Sequence, residues 1–164
     1  MAKHADKHVE KKTNAMRELD TSGQPYQAHW FECPEALSGV EVAHLLEEDP
    51  DCVFKTLVTV GKSGDHYVFM IPVALELDLK KAAAVVGEKA ISMVKSKELL
   101  GLTGYVHGGC SPLGMKKRFV TTIDESAALY ETIFFSGGKI GCQIETSLDA
   151  LKAVLPVGEA DLTA

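Results

Sequence analysis

The residue most suggestive of chemistry is Lys55, which interrupts Val53-Phe54-Lys55-Thr56-Leu57-Val58-Thr59-Val60, a run apolar on both faces as expected of an interior strand. Alternation puts Lys55 on one face with Val53 and Leu57, and Thr56 on the other. An ammonium in such surroundings loses hydration, so it needs an anionic partner or a solvated cavity. A ligand pocket supplies both, although a lysine near a strand end could instead carry its head group to water along its own stem. Two glycine pairs add to this. Gly108-Gly109-Cys110-Ser111-Pro112-Leu113-Gly114 and Ser136-Gly137-Gly138-Lys139 each allow close approach of backbone to a ligand, exposing amide donors, with the Ser111 and Ser136 hydroxyls beside them. Each pair alone equally suits a tight turn. With Lys55 they suggest one cavity. No serine or cysteine has a histidine identifiable from sequence as its activating base. The four cysteines, Cys33, Cys52, Cys110 and Cys142, are scattered singly, and His107 with Cys110 lacks the ligand spacing of a zinc site. We expect no metal and no cofactor.

The elements that must position these groups follow from periodicity. Residues 5–20 read as an amphipathic helix closed at Ser22-Gly23, and 26–33 as an aromatic strand whose Tyr26, Trp30 and Phe31 fill the core or wall a pocket. A short helix at 40–46 precedes two strands, 52–60 and 66–73, joined as a hairpin through Gly61-Lys62-Ser63-Gly64. Helices are expected at 78–86 and 88–100, strands at 105–107 and 118–123, and a helical turn over 125–130 capped by Asp124. Strands 132–135 and 139–145 flank the second glycine pair, and a last helix at 148–155 runs from a Ser147 cap to Pro156. Hairpins instead of regular βαβ alternation predict an α+β fold, a mixed, strongly curved, barrel-like sheet with helices packed outside. A dinucleotide fold is disfavoured because no Gly-x-Gly-x-x-Gly loop opens a helix.

A chain of 164 residues suits a single domain spanning 1–164. No long apolar run suits a membrane span, and the charged start Met1-Ala2-Lys3-His4 lacks a secretory core, so the expectation is a cytoplasmic protein with reduced thiols. Seventeen basic against twenty-three acidic residues, a net −6, argue against coating duplex DNA by general charge attraction. Local basic clusters remain. Lys80-Lys81 reads equally as a solvated face, whereas Lys116-Lys117-Arg118, beside a Gly/Pro loop, is the better candidate for phosphate contact.

In order and spacing, "VFKTL", "GGCSPLGMKKR" and "FFSGGKIG" resemble the signature segments of the YbaK/EbsC family, over nearly the whole chain. The resemblance implies a mixed sheet around a pocket for the 3′ aminoacyl-adenosine end of tRNA, with prolyl-tRNA synthetase as a candidate partner. Lys55 then matches the essential pocket lysine, Gly108 and Gly109 the backbone-contact loop, and Ser136 a pocket serine, these four being the expected catalytic groups. Phe31, Thr56, Ser111, Gly137 and Gly138 are expected to bind substrate, and Lys116, Lys117 and Arg118 the tRNA. The family implies removal of cysteine from Cys-tRNA(Pro) and Cys-tRNA(Cys), the substrate's own thiol attacking its ester carbonyl. Two positions depart from YbaK: Ser38 stands where it has an aromatic residue and Gln143 where it has an acidic one. They leave open a water-based deacylase of another small aminoacyl-tRNA such as Ala-tRNA(Pro), and beside it a non-catalytic module binding tRNA ends or a synthetase.

Overall fold

The structure, a computed structural model, describes residues 11–32 and 37–164. Helix α1 (Asn14–Thr21) begins where the Thr13 hydroxyl accepts the Met16 N–H, and it buries Ala15, Met16 and Leu19. Strand β1 (Gln27–Trp30) and helix α2 (Gly39–Leu45) follow, α2 held by a reciprocal cap between Ser38 and Glu41. The chain then forms β2 (Phe54–Gly61), β3 (His66–Pro72), α3 (Leu79–Val86), β4 (Ile91–Met93), α4 (Ser96–Thr103) and β5 (Val120–Asp124). It closes with β6 (Ile133–Ser136), β7 (Cys142–Thr146), α5 (Leu148–Val154) and β8 (Val157–Ala160).

The strands divide between two sheets. One has five strands in the order β4-β2-β3-β5-β8, antiparallel except where β5 runs parallel to β3 and to β8. The other is the antiparallel trio β1-β7-β6, and a single parallel bridge, Val53 to Phe134, joins it to the first. The α+β class holds. The expected single barrel-like sheet does not, since among the described residues neither sheet is closed. Alternation on β3 explains the layering: Met70 joins Met16, Leu19, Phe54, Phe135, Ile144 and Leu151 on one face, while Phe69 and Ile71 pack against Ala82 and Ala83 of α3 on the other. β3 is therefore apolar and buried from Val68 to Pro72.

Several elements differ from the sequence reading. The expected helix at 88–100 splits into β4 and α4, because Ile91–Met93 pairs with Thr59–Gly61 at the edge of β2, and α4 starts only where the Glu98 carboxylate accepts the Lys95 N–H. The expected strand at 105–107 is loop, held by Tyr105, whose hydroxyl donates to the Leu113 carbonyl. β8, unforeseen, pairs with β5, and the Leu162 N–H beyond it donates to the buried Asp124 carboxylate. The first helix begins only at residue 14, and residues 5–10 of its expected span, 5–20, lie outside the described residues.

Candidate functional site

β3 covers one edge of β2 along its whole length, from Phe54 to Val60. On the other edge β4 covers only Thr59–Gly61, and β6 touches at Val53. Between them Lys55–Leu57 has no strand neighbour among the described residues. In an antiparallel strand the N–H and C=O of one residue point to the same side and alternate along the chain. The Val58 carbonyl accepts the Val94 N–H on the β4 side, so the backbone groups of Thr56 face that same uncovered side.

A cavity of about 260 Å³ occupies this gap. Lys55, Thr56, Gly108 and Ser136 all line it, so residues from three separate sequence motifs meet there. Lys55 is half-buried and has no carboxylate within ion-pair distance among the described residues. The Ser136 hydroxyl accepts the Gly138 N–H at 3.2 Å, which orients it at the end of β6. Two buried oxygens, Thr56 Oγ1 and Gln143 Oε1, have no hydrogen-bond partner among the described residues, and both residues line the cavity. A polar atom left so costs about 1–3 kcal/mol, which a bound donor would recover.

The other expected site residues stand outside the lining. Gly109 is buried where the first glycine loop presses on the second: a Cβ there would lie 3.0 Å from the Ile140 nitrogen. Gly137 is equally constrained, since a Cβ would come within 2.4 Å of Cys142 Sγ. Gly138 takes φ +100, a left-handed backbone that favours glycine. Gly109 is thus needed where the first loop packs on the second, Gly137 where β7 returns past its own loop, and Gly138 for its backbone, so all three shape the wall without lining it. Ser111 is fully buried and its hydroxyl accepts the Leu113 N–H, a turn within the loop. Phe31 is half-buried and anchored through its N–H to the Gly141 carbonyl. Lys116, Lys117 and Arg118 are exposed and apart from the cavity.

Other lining groups come from tertiary structure. Cys110 and His107 both line the wall, yet no set of three metal-ligating side chains converges among the described residues. Burial pushes the Cys110 thiol up to about 12, so it stays protonated at neutral pH and is a poor nucleophile. Cys142 is pushed up to about 12 by burial as well, and burial likewise raises Cys52. Cys33 lies outside the described residues. Ser38 and Gln143, the two departures noted in the sequence, both line the cavity. Ser38 is held there as the cap of α2, and Gln143 by the register that sets it opposite Ser136.

The chain belongs to the aminoacyl-tRNA editing domain family, which matches residues 33–154. It is 42% identical over 160 residues to a protein of Enterococcus faecalis (strain ATCC 700802 / V583) named "Putative Cys-tRNA(Pro)/Cys-tRNA(Cys) deacylase EbsC", covering 97% of this chain and 98% of that one. Among solved structures, hypothetical protein APE2540 superposes with a TM-score of 0.84 at 20% identity, over 93% of this chain and all of that one. A structure described as "a putative trans-editing enzyme for prolyl tRNA synthetase" gives a TM-score of 0.81 at 24% identity, over 94% and 99%. At those identities the two structures speak for the fold.

Proposed function

We propose that the chain is a free-standing, single-domain editing deacylase of the cytoplasm that removes cysteine from mischarged Cys-tRNA(Pro), and from Cys-tRNA(Cys), by attack of the substrate's thiol on its own ester carbonyl. The observation that carries this is the cavity itself: it gathers a cation, glycine-loop backbone and a hydroxyl, while Cys110 in its wall is held as the neutral thiol. The name of the 42% identical relative supports the substrate. At about 260 Å³ the cavity falls below the ~300–1,000 Å³ of sites for drug-sized ligands, which suits one small aminoacyl group with its ester.

In this reading the thiol sulfur bonds to the carbonyl carbon, the ester oxygen leaves with the tRNA 3′ end, and the product is a cyclic thiolactone. The thiol proton goes to solvent and the leaving oxygen takes one from solvent. Holding sulfur against carbon draws on proximity, which can supply roughly 7–11 kcal/mol. The Gly108 backbone and the Ser136 hydroxyl stabilise the oxyanion, and Lys55 anchors the 3′-terminal phosphate or ribose. Thr56 and Gln143 contribute to the wall on which the amino-acid part of the substrate rests. Phe31, Gly109, Ser111, Gly137 and Gly138 support the wall that the substrate meets, and Lys116–Arg118 serves the tRNA. Prolyl-tRNA synthetase is the proposed protein partner.

A second reading, hydrolysis of another small aminoacyl ester such as that of Ala-tRNA(Pro) by a bound water, is favoured by one observation. Both Ser38 and Gln143, which differ from the YbaK pattern, face the cavity. Ester loss from purified cysteinyl-, alanyl- and seryl-tRNA(Pro) separates the readings: the thiol route cleaves the first selectively, the water route does not discriminate by the thiol, and a binding module cleaves none.

A further inference from the structure

Outside the cavity, the most distinctive surface is a shallow groove of about 400 Å³ between α1 and the loop that follows Leu113. Arg17 and Glu18 line it from one side, Gly114, Met115 and Arg118 from the other. A small recess continuous with it, bordered by the same Glu18 and Arg118, adds Lys117. Sequence adjacency suggests that Lys116, Lys117 and Arg118 act together, but the stem of Lys116 lies over Gly104 instead, within 3.3 Å of where a Cβ would stand.

Arg17 and Arg118 therefore share the groove and Lys117 lines the recess beside it, Arg17 being far in sequence from the other two. None is ion-paired among the described residues, in contrast to Lys12, Lys81 and Lys152, each of which holds a carboxylate. Both guanidiniums are oriented by neutral groups: Arg17 Nη1 donates to Asn14 Oδ1 at 3.1 Å, and Arg118 Nη1 to the Val154 carbonyl at 3.2 Å. Each keeps further N–H donors free for a ligand. Glu18 is the single carboxylate in the lining, and it already accepts the Gly114 N–H. On a chain of net charge −6, three cations against one carboxylate around a groove and its recess favour a polyanion.

Its position says which one. Thr13, the cap of α1, meets Gly138 of the second glycine loop: a Cβ on Gly138 would lie 3.4 Å from Thr13 Cβ. The groove thus starts one helical turn from the loop that ends at the cavity. We propose that Arg17, Lys117 and Arg118 form a docking track for the phosphate backbone of the RNA whose 3′ end enters the cavity. Recognition is by charge and spacing rather than by base, as contacts to phosphates are in general. This rests on the editing reading and adds to it a residue of α1, Arg17.

The test is binding of uncharged tRNA to the full chain, measured by fluorescence anisotropy across a salt series. Arg17→Glu and Lys117→Glu should each weaken binding about tenfold at low salt and lower the log–log salt slope by roughly one. Lys117 makes no side-chain hydrogen bond among the described residues, so its variant keeps the test readable if Arg17→Glu folds poorly. Lys80→Glu on α3, which packs on a different core cluster, changes net charge equally and should weaken binding less than twofold. Equal losses in all three variants, or none in the first two, would overturn the track. Because binding requires no turnover, an inactive wild type would count against the editing reading while leaving the track tested.

Discussion

Lys55 and Lys81 are both half-buried, yet the molecule treats them differently. Lys81, at the start of α3, donates to the Asp161 carboxylate at 2.9 Å and to the Thr163 carbonyl at 2.7 Å, tying the helix to the C-terminal segment. Its pKa is raised and that of Asp161 lowered, in both cases chiefly by their hydrogen bond. Lys55 has no such partner and stands at the uncovered edge of β2, beside a cavity that also holds two unpartnered oxygens. A lysine satisfied by its own chain is explained by folding. One left unsatisfied at a concave surface is explained by something the chain receives.

The contrast is broken most directly by truncating both. Lys55→Ala should lower deacylation on the order of 100-fold, the scale of losing one electrostatic contact in a transition state, with the melting temperature little changed. Lys55→Arg should restore little of it, since a branched, planar guanidinium differs in shape from a compact ammonium. A folded Lys55→Ala enzyme with full turnover would place the two lysines in one class.

The loop contact that shapes the cavity sharpens the comparison next. Gly137→Ala forces a methyl against Cys142 Sγ and should cost about 1–3 kcal/mol of stability in chemical denaturation, as overpacking usually does. Gly109→Ala meets backbone at 3.0 Å and should separate the two glycine loops, lowering turnover about tenfold at a smaller cost in stability. A Gly109→Ala enzyme with unchanged kinetics would show that the loops do not define the wall.

A smaller effect concerns the buried thiols. Cys110 and Cys142 have folded pKa values of about 12 against an ordinary 9.0. A group whose folded pKa is raised stabilises the protein below its unfolded pKa, and that contribution is lost as pH rises through the folded value. Stability should therefore fall between about pH 9 and pH 12, and a Cys110→Ser, Cys142→Ser variant should show a shallower decline over that window. Smallest of all, Lys81→Ala should change turnover less than twofold and lower the melting temperature slightly. The loss should shrink in acid, because the contribution of Asp161, with its lowered pKa, is present above the unfolded pKa and disappears as pH falls through the folded one.

Much of this was legible from local pattern. The apolar run through Lys55 and the Gly61–Gly64 turn mark the β2–β3 hairpin, and the residue types at Lys55, Gly108 and Ser136 point to the cavity that the three line together. The errors have a common source in tertiary pairing. Ile91–Met93 continues a helical pattern, but the free edge of β2 captures it as strand. Val157–Ala160 is short, with glycine and glutamate in its middle, and only the exposed edge of β5 makes it a strand. Alternation also separates Thr56 from Lys55 onto opposite faces, whereas a cavity at a strand edge is reached from both. Likewise Gly109 and Gly137 look like ligand-contact glycines in sequence, yet Gly109 is required by packing of one loop on the other and Gly137 by the nearness of Cys142.

The central claim, that the substrate's own thiol does the chemistry in a cavity that only positions and polarises, is tested most directly by the ratio of kcat/KM for cysteinyl- and seryl-tRNA(Pro). These differ by one atom, and a pocket separates near-isosteres by only about 1–3 kcal/mol, or 10–200-fold. The account predicts a ratio well beyond that range, because the hydroxyl removes the attacking group. Comparable rates on the two esters would contradict it and transfer the nucleophile to water.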